Sequence, residues 1–332
     1  MMLDPFSLNG GFTLTQLSQA INVLPNMYSR YGDSGLFPFK AQSTNTVTIE
    51  MKDGVLALVQ TTPWGGPAPK NKSGKRNIRS FNIPHMPFED TVKASDVIGI
   101  RQFGSESNLE TVATRVNDKM QEMKNKIDQT LEWRKMGALK GIVLDADGTT
   151  VIENYFTSFG VTQKVIDFQL DVTTTDVPAK VTELLRWMED NLMGERMSTI
   201  QVDVSPEFYD AFTGHASVES IYSGWSEAQN RIGGDLRKGF TLRGVTFSEY
   251  RATVDGHRFI DAGDGYAYPL GTVETFANFG APADFVETVN TLALPYYARQ
   301  QNTDFNRGID LHVQANQLPM LLRPALSVRV TI

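Results

Sequence analysis

Asp145 and Asp147, two residues apart in Gly-Ile-Val-Leu-Asp-Ala-Asp-Gly-Thr at 141–149, have the types and spacing that most invite chemistry. Neighbouring carboxylates can divide nucleophilic and general-acid work between them. They do not open a calcium loop, because the sixth position from Asp145 is Thr150 rather than Gly and the twelfth is Phe156 rather than Glu. Asp147-Gly148, leading straight into Val151 and Ile152, also reads as the turn of a hairpin. A second constellation is cationic: Lys70, Lys72, Lys75, Arg76 and Arg79 fall within ten residues that hold no acid. Gly74-Lys75 would belong to a P-loop only with Gly at 69 and Ser or Thr at 76, where the chain has Pro69 and Arg76. The four histidines (His85, His215, His257, His312) include no pair at helical zinc-binding spacing. There is no cysteine, which removes thiolate nucleophiles, disulfides, cysteine zinc sites and iron–sulfur clusters. These residues imply no cofactor and no metal.

The chain that must position them has 332 residues, enough for about two domains at ~150 residues each. Its 41% apolar content is that of a globular protein able to build its own core. No apolar run approaches the ~20 residues needed to cross a bilayer. With Asp4 and no Lys or Arg before Arg30, the start does not read as a secretory leader. The absence of cysteine permits folding in a reducing cytoplasm. A net charge of −7 opposes binding of nucleic acid by the bulk of the surface. Without the five cations at 70–79, 26 basic residues face 38 acidic ones, a balance of −12. One short segment thus opposes the sign of the whole.

Residues 1–45 read as an extended arm with one helix over 13–23; its apolar anchors (Phe6, Leu8, Phe12, Leu14, Leu17, Ile21, Leu24) need another surface to lie on. Alternation at Val47, Ile49 and Met51, then Asp53-Gly54 and 55–60, predicts a hairpin. The Pro-, Gly- and Lys-rich stretch 63–80 follows, and alternation resumes at Phe81 and Ile83, so two strands run out to a long polar tip and back. Loops beyond ~12–15 residues usually bind something.

Leu109, Val112, Val116, Met120, Met123, Ile127 and Leu131 mark one stripe of a helix over 108–140. Ser107 and Glu110 form its capping box, Gly137 weakens its last turn and Gly141 ends it. At ~1.5 Å per residue this rod is about 50 Å long. Strands are expected at 142–144, 151–156 and 165–172. A helix capped by Asp176 with Pro178 in its first turn follows and ends at Gly194, and another starts at Ser205-Pro206. Asp255-Gly256 and Asp264-Gly265 read as hairpin turns, and Ile309/Leu311/Val313 and Leu326/Val328/Val330/Ile332 as strands. The class is α+β, mostly antiparallel, without βαβ repetition.

Two resemblances bear on function. The run 141–149 resembles the first motif of haloacid-dehalogenase-type phosphatases, which implies Asp145 as nucleophile and Asp147 as general acid, with Mg²⁺, on a doubly wound parallel sheet. The second covers nearly the whole chain. Phe12-Thr13-Leu14, Asn26, Gly35-Leu36-Phe37 and Val47-Thr48-Ile49-Glu50 open it; Phe208, Phe212, His215, Val218 and Tyr222 follow. Then come Val245-Thr246-Phe247-Ser248-Glu249-Tyr250, Pro269-Leu270-Gly271, Ala281-Pro282-Ala283-Asp284 and Glu287-Thr288-Val289-Asn290-Thr291. Gly308-Ile309-Asp310-Leu311, Gln314-Ala315-Asn316-Gln317-Leu318-Pro319 and Arg323-Pro324 close it. In that order these segments resemble the lambda-type (major capsid protein E) family of tailed-phage major capsid proteins, with the HK97-like fold.

That resemblance implies four parts: an N-terminal arm (1–45), an E-loop (46–90), a peripheral domain (91–178 with 301–332, spine helix 108–140) and an axial domain (179–300). It implies hexamers and pentamers closing into an icosahedral head around packaged DNA, with no enzymatic activity. The implied partners are further copies of the chain, a separate scaffold protein, a portal and a decoration protein, with neither membrane nor sequence-specific nucleic acid. The implied place is the virion, after assembly in a bacterial cytoplasm. Lys70, Lys72, Lys75, Arg76 and Arg79 are then the expected intersubunit contact, a cationic tip meeting an acidic neighbour. The rival readings are the phosphatase and an adaptor that binds an acidic partner through 70–79.

Overall fold

The computed structural model describes residues 17–18, 21–22, 29–52, 76–98, 111–232 and 239–332. Six helices follow one another there: α1 (Arg30–Asp33), α2 (Val112–Lys140), α3 (Tyr155–Phe159), α4 (Val177–Asn191), α5 (Pro206–Gly214) and α6 (Ala216–Ile232). The first nine strands are β1 (Phe39–Ala41), β2 (Thr46–Lys52), β3 (Arg76–Asn82), β4 (Pro87–Lys93), β5 (Ile142–Leu144), β6 (Val151–Asn154), β7 (Lys164–Asp167), β8 (Thr199–Val204) and β9 (Phe240–Leu242). The other nine are β10 (Val245–Glu249), β11 (Thr253–Val254), β12 (His257–Arg258), β13 (Asp264–Leu270), β14 (Phe276–Gly280), β15 (Tyr297–Asn302), β16 (Gly308–Gln314), β17 (Gln317–Leu321) and β18 (Val328–Thr331). The chain divides into two compact units, 1–47 with 81–135 and 277–320, and 48–80 with 136–276 and 321–332.

The second unit holds a six-stranded sheet in the order β7-β18-β13-β8-β10-β9. It is mixed: β8/β10 and β7/β18 run parallel, the other pairs antiparallel. Ile200, Val202 and Val204 alternate inward from β8 and pack with Val181, Leu184 and Met188 of α4 and Phe208 and Phe212 of α5. Both helices start as their sequences require. The Asp176 carboxylate accepts from Ala179 N at 3.1 Å and the Ser205 hydroxyl from Phe208 N at 3.2 Å, each with a proline in the first turn. After α4, Met193 and Gly194 both take positive φ, which turns the chain.

Four sequence expectations are corrected here. Asp264-Gly265 is not a hairpin turn but the start of β13. A Cβ at 265 would meet Val204 Cγ1 at 2.5 Å and Val330 Cγ2 at 2.8 Å, so the glycine admits two flanking strands, while Asp264 is buried and paired with Arg329 at 2.7 Å. The strand expected to reach Phe156 stops at Asn154, whose side chain caps α3 by accepting from Thr157 N. The strand expected over 165–172 is Lys164–Asp167, and Gln169 at φ 50 breaks it. Leu326 lies in a 3₁₀ turn (Pro324–Leu326) ahead of β18, not in a strand. Asp255-Gly256 does turn a hairpin, with φ of 50 and 80.

The first unit carries the antiparallel sheet β15-β16-β4 and most of a second, β1-β14-β17, in which β1 and β14 are parallel. Ile309, Leu311 and Val313 point inward from β16, as their alternation requires. They pack with Val116, Met120, Met123, Ile127 and Leu131, the expected stripe of α2. Of the arm, Leu17 and Ile21 are helical and buried in this cluster, so what they lie on is the chain's own long helix. Ser107, Glu110 and the first residues of the expected helix lie outside the described residues. At the other end Gly137 is required: a Cβ there would meet the Ile142 carbonyl at 2.9 Å. β2 and β3 form a two-stranded ribbon, but its returning strand is Arg76–Asn82 and not the expected resumption at Phe81 and Ile83. Arg76 and Arg79 belong to the strand, and Ile83, past its end, donates its N–H to Asn45 O. Asp53-Gly54 and 55–60 lie outside the described residues.

Candidate functional site

Among the described residues β5 and β6 pair only with each other, antiparallel, and the acid pair sits at their turn. Asp147 accepts from Thr149 N (2.9 Å), Thr150 N (2.8 Å) and the Thr150 hydroxyl (2.6 Å), while Gly148 takes φ 69. The Thr150 hydroxyl first, then the two amides, hold the Asp147 carboxyl far below the usual range. A general acid needs a proton near neutral pH, and this carboxylate is set to give its proton up. The doubly wound parallel sheet that a haloacid-dehalogenase-type phosphatase needs is not what carries the motif. Asp145 and Asp147 therefore build a hairpin, and the phosphatase reading is not supported.

His85, His215 and His312 have polar partners, and His85 and His312 share one, Gln314, at 3.4 and 2.9 Å. His215 bonds the Ser217 hydroxyl (2.9 Å) and the Val172 carbonyl (3.0 Å); His312 contacts Glu89 (2.8 Å) and Gln314 (2.9 Å); His85 lies 3.6 Å from Asp284. Among the described residues no three His, Asp or Glu side chains converge as metal ligands.

The strongest electrostatic feature is one that the sequence reading missed. Along one face of α2, Lys124, Asp128 and Glu132 recur every four residues and are all buried. Glu132 accepts from Tyr31 N (2.9 Å) and Gly32 N (3.2 Å), at the first turn of α1, so it clamps a segment within the stretch 1–45. Asp128 accepts from the Tyr296 hydroxyl, and Lys124 Nζ sits 4.9 Å from the centre of the same ring. Burial pushes Lys124 and Lys135 below the usual lysine range, against the pull of Asp128 on both and of Glu132 and Asp33 on Lys135. Burial and then Asp128 push Tyr296 up. Ser29, Asp33, Asp128, Lys135 and Tyr296 line a polar cavity of about 90 Å³. That admits a few waters but is far smaller than the ~300 Å³ at which small-molecule sites begin. The arrangement fastens chain segments together.

Of the five cations, Lys70, Lys72 and Lys75 lie outside the described residues, and so does the Arg76 side chain. Arg79, half-buried on β3, stacks its guanidinium 5.5 Å from the centre of the Phe159 ring. Apolar side chains are exposed elsewhere: Val286, Val289 and Leu292 before β15, and Phe305 between β15 and β16. No described helix is long and apolar enough to cross a membrane.

The family model of phage major capsid protein E matches residues 13–332. The major capsid protein of Salmonella phage Felix O1 is 28% identical, with 96% of each chain covered. In three dimensions the chain is similar to a prophage capsid protein of Escherichia coli CFT073 (TM-score 0.59, 15% identity, 96% and 98% covered). It is also similar to the capsid of Ralstonia phage GP4 (TM-score 0.54, 10% identity, 93% and 92% covered). The fold is HK97-like. Neither the phosphatase nor the adaptor survives this combination of sequence family and architecture: the chain belongs to the phage major capsid protein E family, and is a capsid subunit of a phage head, built from many copies of itself in the virion.

Proposed function

We propose that the chain assembles as hexamers and pentamers into a closed icosahedral shell around packaged DNA. The match to the capsid family over 13–332 carries this reading. The arm (1–45), the loop on β2 and β3 (46–90), the peripheral part (91–178 with 301–332) and the axial part (179–300) are divided by their role in that shell. The two compact units divide the same chain by packing, and β18 packs in the six-stranded sheet. A separate scaffold protein guides assembly, and a portal and a decoration protein complete the head. The chain performs no catalysis; the saturation of Asp147 by its own hairpin supports this.

Within the shell, Lys70, Lys72, Lys75, Arg76 and Arg79 clasp an acidic neighbour. Exposed ion pairs contribute only ~0–1 kcal/mol each, so single alanines are tolerated and the effect accumulates around each ring. Changing all five to Glu moves the net charge by two at each position, from −7 to −17. The expected product is a soluble chain with parental circular dichroism that sediments as small species. The test is electron microscopy of the chain co-expressed with its neighbouring genes, beside the five-Glu variant. Shells from the parent and none from the variant support the reading. Absence of particles from the parent overturns the shell, and parental yield or unfolding of the variant overturns the clasp.

A further inference from the structure

Between β15 and β16 the chain turns through Asp304–Asn306, and Phe305 there adopts φ 61, ψ 19. A bulky residue rarely takes this left-handed conformation, which Gly, Asn and Asp accept far more readily. Inside its own copy the ring is almost uncovered: Phe305 is 89% exposed and meets the Arg307 guanidinium at 5.4 Å from its centre. Six paired residues on each strand hold the turn about 20 Å from the base of the hairpin, at ~3.4 Å per residue. Just before that base, Val286 (88% exposed), Val289 (64%) and Leu292 (68%) lie within seven residues, an aliphatic patch without cover. Scattered single apolar residues are ordinary at a surface, but a cluster of this kind marks a contact. One hairpin of one unit thus carries an aromatic knob at its tip and an aliphatic patch at its foot.

We propose that the Phe305 tip of one copy seats on the Val286–Leu292 patch of a neighbouring copy. The proposal rests on the reading of the chain as a self-assembling shell protein and names a surface that such assembly uses. Identical subunits that close a ring by head-to-tail contact need two different, complementary surfaces on the same chain, which is what the hairpin offers. Tip against tip would instead bring two Phe305–Arg307 pairs together, cation towards cation. Charge favours the patch, because Asp284 precedes it and Glu287 lies within it in sequence, with side chains 64% and 52% exposed. Arg299 engages Glu287 at 3.2 Å and His85 lies 3.6 Å from Asp284, and both carboxylates stay half-exposed or more, open to a further cation such as an incoming Arg307. The left-handed turn holds the ring outward before contact, so little ordering remains to be done on docking.

Phe305→Gly keeps the turn and removes the ring; Val289→Asp puts a charge into the patch. Both chains are expected to fold, with Phe305→Gly melting no lower than the parent, since glycine takes a left-handed φ freely. Particle yield is expected to fall roughly thirtyfold or more in each, as for loss of a central aromatic anchor. Because the chain has no cysteine, Phe305→Cys with Val289→Cys should give oxidised intermolecular ladders from particles. The same Phe305→Cys with Val273→Cys, an exposed position in the other unit, should not. Parental yield from both point variants, or ladders from the Val273 pair alone, overturns the proposal. Particles absent from the parent in parallel overturn the shell reading beneath it and the proposal with it, which separates the two failures.

Discussion

Five phenylalanines pack together in the core of the second unit: Phe212 lies stacked on Phe247 at 4.3 Å and on Phe208 at 6.1 Å, with Phe168 edge-on and Phe240 tilted around it. On the first unit's stretch of α2, burial instead takes in Lys124, Asp128 and Glu132, each with a named partner from a distant segment. The dry core depends on volume and shape, and its stabilisation scales with area removed from water. The charged row depends on completeness, because a buried charge that loses its partner costs far more than the pair contributes. The lesson is that the aromatic cluster is specified by filling space and the charged row of α2 by fastening particular segments. For the first, size-conserving changes are tolerable; for the second, even an isosteric change of charge is not.

The comparison predicts its own largest effect in the aromatic core. Phe212→Ala should destabilise by ~3–5 kcal/mol, read from denaturant unfolding of the isolated subunit. A loss below 1 kcal/mol would show that the aromatic cluster collapses freely and is not space-limited. The clamp comes next. Glu132→Ala leaves the Tyr31 and Gly32 amides without an acceptor, and about 2–3 kcal/mol should be lost. Amide exchange at Tyr31 and Gly32 should accelerate together, and unchanged exchange at both would mean that the segment is held by something other than Glu132.

Much of the second unit was legible in the sequence because its signals are local. The caps at Asp176 and Ser205, the stripe of α4 and the Asp255-Gly256 turn depend on residues within a few positions of one another. Asp264-Gly265 has the same turn chemistry and is nonetheless strand, since Val204 and Val330 on the flanking strands decide what fits. The charged row of α2 was not legible at all. Tyr31 lies 101 residues from Glu132 and Tyr296 lies 168 from Asp128, and helical periodicity places such charges on a face without naming a partner. Phe305 carries no sequence signal either, because only its backbone angle and exposure distinguish it. Membership of the capsid family was legible because it rests on many ordered segments instead of any single contact.

A smaller effect separates packing from turn chemistry at a single atom. Gly265→Ala puts a methyl between Val204 and Val330, and overpacking of this kind should cost ~1–3 kcal/mol. Gly256→Ala, at a true turn with open space around it, should cost less, and only through its φ of 80. The reverse order in thermal unfolding would break the reading of β13.

The smallest effect is at the β5–β6 turn, where the carboxylates sit in solvent and belong to neither scheme. Asp147 is held below the usual carboxylate range by Thr150 and the two amides, so its folded pKa lies under its unfolded one. Such a group stabilises the fold fully above the unfolded value of ~3.9 and loses that contribution as acid protonates it. Asp147→Asn keeps an oxygen acceptor for the amides but has no charge to lose. The parent should therefore melt slightly higher than Asp147→Asn at neutral pH. The gap should shrink as pH falls below about 5. A gap that widens on acidification would mean that the carboxylate is protonated in the folded chain, as a general acid requires. Asp145→Asn, in turn, should leave particle yield nearly at parental level, because the hairpin uses Asp145 through its backbone, accepting from Gly148 N and donating to Thr150 O. A phosphate-releasing activity in the parent that disappears in Asp145→Asn would return these two carboxylates from architecture to catalysis.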